Sequence, residues 1–181
     1  MDFQQSKTFL NLLSAYQSEL ISTSFYLLNA DRARDEGFNE IGDIFDTISR
    51  NEKEHARIWQ RNLNNQVLPN TEQNLLDSAN REIDVAELYR DYASTALSEG
   101  YSDIAALFKG IANIELNHDL IFRTQYNNVV SEQVFCKPTQ ILWICMQCGN
   151  IMNGVCAPEI CPVCGFPQGY YRPYSTEAVS S

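Results

Sequence analysis

The chain has 181 residues, 44% hydrophobic and 20% charged, a globular composition that allows one full-sized domain with a small appendage. A formal net charge of −10, with no clustered Lys and Arg, argues against a nucleic-acid surface, which needs basic residues to neutralise phosphates. No apolar run approaches the roughly 20 residues of a membrane span, and the polar start MDFQQSKTF lacks the basic flank and apolar stretch of a signal peptide, so a cytoplasmic protein without a membrane partner is expected.

From Ser6 to Val130 glycine and proline occur only at Gly37, Gly42, Pro69, Gly100 and Gly110. Between these points apolar residues recur at helical spacing, as in Leu10, Leu13, Tyr16 and Leu20, or Ile41, Phe45 and Ile48. The breaks near Gly37, Pro69 and Gly100 predict four long helices, roughly 6–35, 38–64, 72–98 and 101–130. Helices so much longer than average favour an antiparallel bundle.

The helical region contains an internal repeat. A shift of 63 positions brings Glu19 onto Glu82, Tyr26 onto Tyr89, and Glu36-Gly37-Phe38 onto Glu99-Gly100-Tyr101. The same shift lays Ile41, Phe45 and Ile48 on Ile104, Phe108 and Ile111, and Glu52 and His55 on Glu115 and His118. The bundle is therefore expected to consist of two copies of one helical hairpin. A shared apolar stripe would account for the Ile and Phe matches alone, but not for two glutamates and a histidine on each copy.

Residues three apart share a helix face, so Glu52 with His55, and Glu115 with His118, each present a carboxylate and an imidazole in one direction. Glu19 and Glu82 add one carboxylate from each remaining helix. Two lone glutamates and two Glu-x-x-His pairs are the donor set of carboxylate-bridged di-iron or di-manganese bundles. The carboxylates bridge two hard cations and one imidazole terminates each. A single Glu-x-x-His is more often a surface pair, but here both histidines of the chain carry the glutamate, in a repeated frame. Glu54 has no counterpart, because Asn117 stands there, and with Lys53 it is expected to face water.

The segment NNQVLPN between the second and third helices is short. Returning along helices of this length means crossing about 40 Å, and seven residues extend only about 25 Å. Either some helix unwinds, or the two hairpins come from different subunits of a homodimer, and the expectation is a domain swap in which residues 6–64 of one chain complete a bundle with residues 72–130 of the other.

After Val130 the composition turns to Cys, Pro, Gly and aromatic residues. All six cysteines fall here. Cys145-x-x-Cys148-Gly149 and Cys161-x-x-Cys164-Gly165 are two equivalent knuckles, each placing two thiolates on one tetrahedral ion. Zinc would make the tail a structural ribbon, and iron would make it a one-electron carrier. Cys136 and Cys156 lie outside the knuckles and read as spare thiols. The expected domains are 1–132, a helical bundle, and 133–181, a small metal-stapled module that could not bury enough apolar surface unaided.

These residues give the chain a resemblance to the rubrerythrin family over nearly its whole length, carried by EGFNEIGDIFDTISRNEKEHA, EGYSDIAALFKGIANIELNH and WICMQCGNIMNGVCAPEICPVCGFP. The resemblance implies a mainly α fold, a ferritin-like four-helix bundle followed by a small rubredoxin-like β/loop domain. It implies a cofactor set of two non-haem irons and one iron in the four-cysteine site. The implied activity is reduction of hydrogen peroxide to water as a protection against oxidative stress, with electrons relayed through the rubredoxin-like iron from a separate NADH-linked reductase. Glu52 and Glu115 would bridge the irons, Glu19 and His55 would end one, and Glu82 and His118 the other. Tyr26 and Tyr89 would hydrogen-bond carboxylates or feed protons, with core packing as the competing role. The family's additional glutamate, three residues after the third helix's first ligand, is replaced here by Val85, and Asp84 points to another face. That departure favours a ferroxidase or iron-handling role as the alternative, beside a non-catalytic bundle with a structural zinc ribbon.

Overall fold

The computed structural model describes residues 2–175. Four helices carry the first two thirds of the chain: α1 (Lys7–Asp35), α2 (Asn39–Leu63), α3 (Thr71–Ser98) and α4 (Ser102–Val130). Their ends lie within a residue or so of those expected from the sequence. Ser6 caps α1 by accepting a hydrogen bond from the Phe9 amide, and Asn70 caps α3 by accepting from the Gln73 amide, each satisfying a donor the helix cannot. At the other ends the chain reverses through Gly37 (φ +87°) and Gly100 (φ +88°), left-handed positions where a side chain would be strained. Phe38 N–H donates to Ala33 O and Tyr101 N–H to Ala96 O, both at 2.8 Å. The repeat therefore extends to the geometry of the turn.

Within each hairpin the two helices meet along small side chains. Gly42, Ser49 and Ala56 on α2 and Ala79, Ala86 and Ala93 on α3 are buried at seven-residue intervals, and Ala105 and Ala112 continue the pattern on α4. A seven-residue repeat keeps one stripe of a helix facing its neighbour. Small side chains let the backbones come close: a Cβ on Gly42 would lie 3.2 Å from Ala30 O on the facing helix. Ser49 also donates its hydroxyl across the seam to Thr23 O, at 2.9 Å. The large apolar residues lie elsewhere. Leu20, Phe25 and Ile44 in the first hairpin, and Leu107, Ile114 and Leu120 in the second, are exposed, and the largest wholly buried side chains among the described residues, Trp143, Cys145 and Cys161, all lie after the helices.

The remaining secondary structure is a three-stranded antiparallel sheet in the order β2-β1-β3, from β1 (Cys136–Cys145), β2 (Ile151–Cys156) and β3 (Tyr171–Pro173). Trp143, Cys145, Ala157, Cys161 and Tyr171 form its core, with Phe135, Ile141 and Cys164 packed against them. Trp143 buries its ring without losing its donor, because Nε1–H reaches Gly154 O at 3.1 Å. The chain divides into two compact units at the Pro69/Asn70 junction, so the first hairpin is one unit, and the second hairpin with the sheet is the other. The mainly α class expected from the sequence is the class observed, with a small strand region at its end. No helix among the described residues is long and apolar enough to cross a membrane.

One expectation is corrected. Cys136 and Cys156 are not spare thiols but a disulfide, joining residues directly opposite on β1 and β2.

Candidate metal centres

Each hairpin brings its three expected ligands together. In the first, Glu19 comes from α1 and Glu52 and His55 from successive turns of α2. In the second, Glu82 comes from α3 and Glu115 and His118 from α4. In both, one donor atom from every residue lies within 4.8 Å of the others. His55 Nδ1 is 3.1 Å from Glu52 Oε2 and 3.8 Å from Glu19 Oε2. His118 Nδ1 is 2.8 Å from Glu115 Oε2 and 3.6 Å from Glu82 Oε2. The four carboxylates are about four-fifths covered while the imidazoles stay half open. Oxygen-rich donors with one imidazole, converging at this spacing, fit a hard divalent cation such as iron or manganese.

Within each site the two carboxyls are close enough to compete for one proton. Glu19 and Glu52 share a hydrogen bond, which raises the Glu19 carboxyl above its ordinary value and lowers that of Glu52. Burial adds to the rise at Glu19, and His55 adds to the fall at Glu52. Glu82 is raised chiefly by burial and then by Glu115 beside it. A cation would remove this conflict, because it lets both members of each pair ionise.

Trp59, which the sequence reading passed over, belongs to the first site. Its Nε1–H points at Glu19 Oε1 from 3.5 Å and lowers that carboxyl's affinity for protons. Its spacing was the available signal: seven residues after Glu52 and four after His55, it falls on the ligand stripe of α2. The equivalent repeat position holds Phe122, which has no donor.

Tyr26 stacks on Phe45, and Tyr89 packs against Phe108 and Tyr92. Neither hydroxyl reaches a carboxylate among the described residues. Val85 is partly buried one turn beyond Glu82. Glu54 is exposed and pairs with Arg57 at 2.8 Å, apart from the candidate ligands.

In the sheet region, Cys145, Cys148, Cys161 and Cys164 converge as the sequence spacing requires. Cys145 Sγ lies 3.8 Å from Cys164 Sγ, and Cys148 Sγ lies 3.7 Å from Cys161 Sγ. A tetrahedron with metal–sulfur bonds of about 2.3 Å has edges of about 3.8 Å, so the four thiols fit one tetrahedral ion with little movement. Gly149 (φ +77°) and Gly165 (φ +74°) close the two knuckles, and their amides donate to Cys145 O at 2.8 Å and to Cys161 O at 2.9 Å.

Tyr171 is the second residue missed from sequence. Its hydroxyl lies against Cys161, and with the amides of Cys164 and Val163 it outweighs burial and brings that thiol down to about 6. Cys164 is the counterpart. The Phe166 amide acts downward on it, but burial and the sulfurs of Cys148, Cys161 and Cys145 push it up to about 12. Burial, and then the Cys161 thiol beside it, push Tyr171 up to about 12, and its hydroxyl also donates to Met152 Sδ at 4.0 Å. The Cys161 thiol is thus poised to ionise near neutral pH, while Cys164 would lose its proton only to a metal.

A family model described as Rubrerythrin matches residues 11–72, and one described as Rubrerythrin, rubredoxin-like domain matches residues 143–172. The protein of Porphyromonas gingivalis described as Rubrerythrin is 33% identical, over 94% of this chain and 92% of its own length. Rubrerythrin-1 of Clostridium acetobutylicum is 31% identical, over 92% of this chain and 94% of its own. A solved structure of nigerythrin in a mixed-valence state aligns over 93% of this chain and 87% of its own, at 23% identity and a TM-score of 0.35.

Proposed function

The chain belongs to the rubrerythrin family, and on that basis we propose that it is a non-haem di-iron peroxidase that reduces hydrogen peroxide to water. Proteins of this family are oxidoreductases of oxidative stress that combine a carboxylate metal site with a rubredoxin-like one. The observation that carries the finer reading is the pair of Glu, Glu-x-x-His triads, matched by the repeat, in one chain with a four-thiol tetrahedron.

Glu52 and Glu115 would bridge two irons, with Glu19 and His55 on one and Glu82 and His118 on the other; iron in the four-cysteine site is favoured over zinc because a redox carrier is needed there. Bound there, two irons would supply two-electron chemistry for cleaving the O–O bond, and an iron held by the four cysteines would supply one-electron transfer from a separate reductase, NADH-linked in this reading. H2O2 needs two electrons and two protons to become two waters, and with Glu19 and Glu82 ionised as ligands the protons would come from water on the half-open side of each site. The half-open imidazoles leave a side on which a molecule as small as peroxide reaches the donors.

A homodimer completes this reading. Each hairpin leaves its imidazole half open and many of its large apolar residues exposed, and facing hairpins would cover both. Seven residues, 64–70, link α2 to α3, too few to return along a 25-residue helix. The facing hairpins would therefore come from two chains, exchanged as a domain swap. The ligand thiols, which must stay reduced, favour the cytoplasm.

One observation favours a second reading. Val85 puts an apolar group on the ligand face where the resemblance implies an exchanging glutamate, which would suit ferroxidase or iron-handling chemistry. Iron-loaded protein, fed electrons through a reductase, should consume peroxide stoichiometrically with NADH, and Glu82→Ala should lose both turnover and one iron. Oxygen-dependent oxidation of Fe²⁺ without peroxide turnover would establish the second reading instead.

A further inference from the structure

Two cysteines lie outside the metal centres, and the sheet joins them. We propose that Cys136–Cys156 is a metal-free redox site, a thiol–disulfide couple that exchanges two electrons with a dithiol independently of the four-cysteine centre. Four features of the ribbon carry this.

The first is the company the bond keeps. The other four cysteines are free thiols that must be reduced to hold a metal, so the domain works where thiols persist. A disulfide kept under such conditions is typically transient and redox-active. The second is access. In the order β2-β1-β3 the strand carrying Cys156 is an edge, and Cys156 is exposed whereas Cys136 is half-buried. Cys156 Sγ is therefore the sulfur open to attack, with Cys136 the leaving thiolate.

The third is slack. The β1–β2 register breaks between Cys136 and Ile141, so that residues 137–140 face the single residue Val155. That bulge lets the sulfurs part without unzipping the strands. The fourth is retention. Ile141–Ile144 pair with Ile151–Gly154 and β3 pairs with Trp143–Cys145 without using the bond, so opening it would leave these pairings and the core around Trp143 in place. Beside the bond, Ala157 N–H donates to Phe135 O at 2.8 Å, and Gln168 Nε2 donates to Ala157 O at 2.7 Å. These contacts would hold the opened thiols near each other, so that closing again is intramolecular.

The step balances with a dithiol as reductant. A donor thiolate attacks Cys156 Sγ, the S–S bond breaks, and Cys136 leaves and takes a proton. The donor's second thiol then attacks the mixed disulfide, freeing Cys156 as a thiol and leaving the donor as a disulfide. Two electrons and two protons have passed to the chain, and a low-molecular-weight disulfide such as oxidised glutathione reverses the sequence.

The test uses the full chain with its metals, native, in dithiothreitol buffers of graded reduced-to-oxidised ratio, followed by iodoacetamide and peptide mass mapping. Alkylation is expected at Cys136 and Cys156 together, none at Cys145, Cys148, Cys161 or Cys164, with the ribbon metal retained after desalting. Oxidised glutathione should then restore full protection. The C136S/C156S double variant should retain the ribbon metal and show no alkylation in the same range. A pair that stays closed until urea unfolds the chain would be a structural staple, and the proposal would be overturned. It would equally be overturned if opening the pair released the ribbon metal, since the two sites would then be one.

Discussion

If facing hairpins come from different chains, two crippled chains should repair one another. Let one variant carry Glu52→Ala and His55→Ala, which removes two of the three ligands on α1–α2, and the other carry Glu115→Ala and His118→Ala on α3–α4. Alone, each makes dimers in which every site has lost two of its six donors. In a swapped mixed dimer, one site unites the two damaged hairpins and the other unites the two intact ones. Equal mixing gives half mixed dimers by chance, so about a quarter of all sites recover a complete ligand set. The assay is co-refolding of the two variants, then helical-site iron content and peroxide turnover against each variant refolded alone. Recovery of about a quarter of the wild-type iron and activity is expected. Values no higher than the separate variants would refute the exchange, because an unswapped bundle draws all its ligands from one chain and gains nothing from mixing.

Other outcomes follow from the geometry. In the metal-free protein Glu82 binds its proton more tightly folded than unfolded, so its contribution is present below the ordinary carboxyl value of 4.5 and is lost as pH rises through the raised value. Urea titrations across that window should show Glu82→Gln losing less stability with rising pH than the parent, and an identical slope would remove the assignment. Tyr171→Phe deletes the hydroxyl that helps hold Cys161 near 6, so that thiol should rise toward its ordinary 9.0. Chelator competition at pH 7 should then find the ribbon metal bound about 10- to 100-fold more weakly, the span typical of lost contacts to ligands. Ala86→Leu forces a larger side chain into a wholly buried position of the α3–α4 seam and should cost about 1–3 kcal/mol in denaturant unfolding.

Much of this was legible in the sequence because repetition makes chance expensive. The helix ends were marked by Gly37 and Gly100, and the triads by a frame that carried Glu19, Glu52 and His55 onto Glu82, Glu115 and His118. The knuckle cysteines were marked by their own spacing. Trp59 was there to be read from its spacing, but the rest of what escaped depends on registers that no local spacing encodes. Cys136 and Cys156 pair only because β1 bulges before Ile141. Tyr171 reaches Cys161 only because β3 returns to the far side of β1. The apolar stripes disclosed the helices correctly, yet within each hairpin the buried seam is alanine, glycine and serine. Periodicity reports which residues share a face, not which face meets which neighbour.

That seam has a consequence for iron. A hairpin that closes on its smallest side chains holds its largest in reserve, together with three ligand atoms. If two chains must meet to cover both, then dimerisation and iron binding are steps of one linked equilibrium, and each raises the apparent strength of the other. Iron would hold the dimer together as firmly as the dimer holds iron, and dilution of the protein would strip the metal as a chelator does.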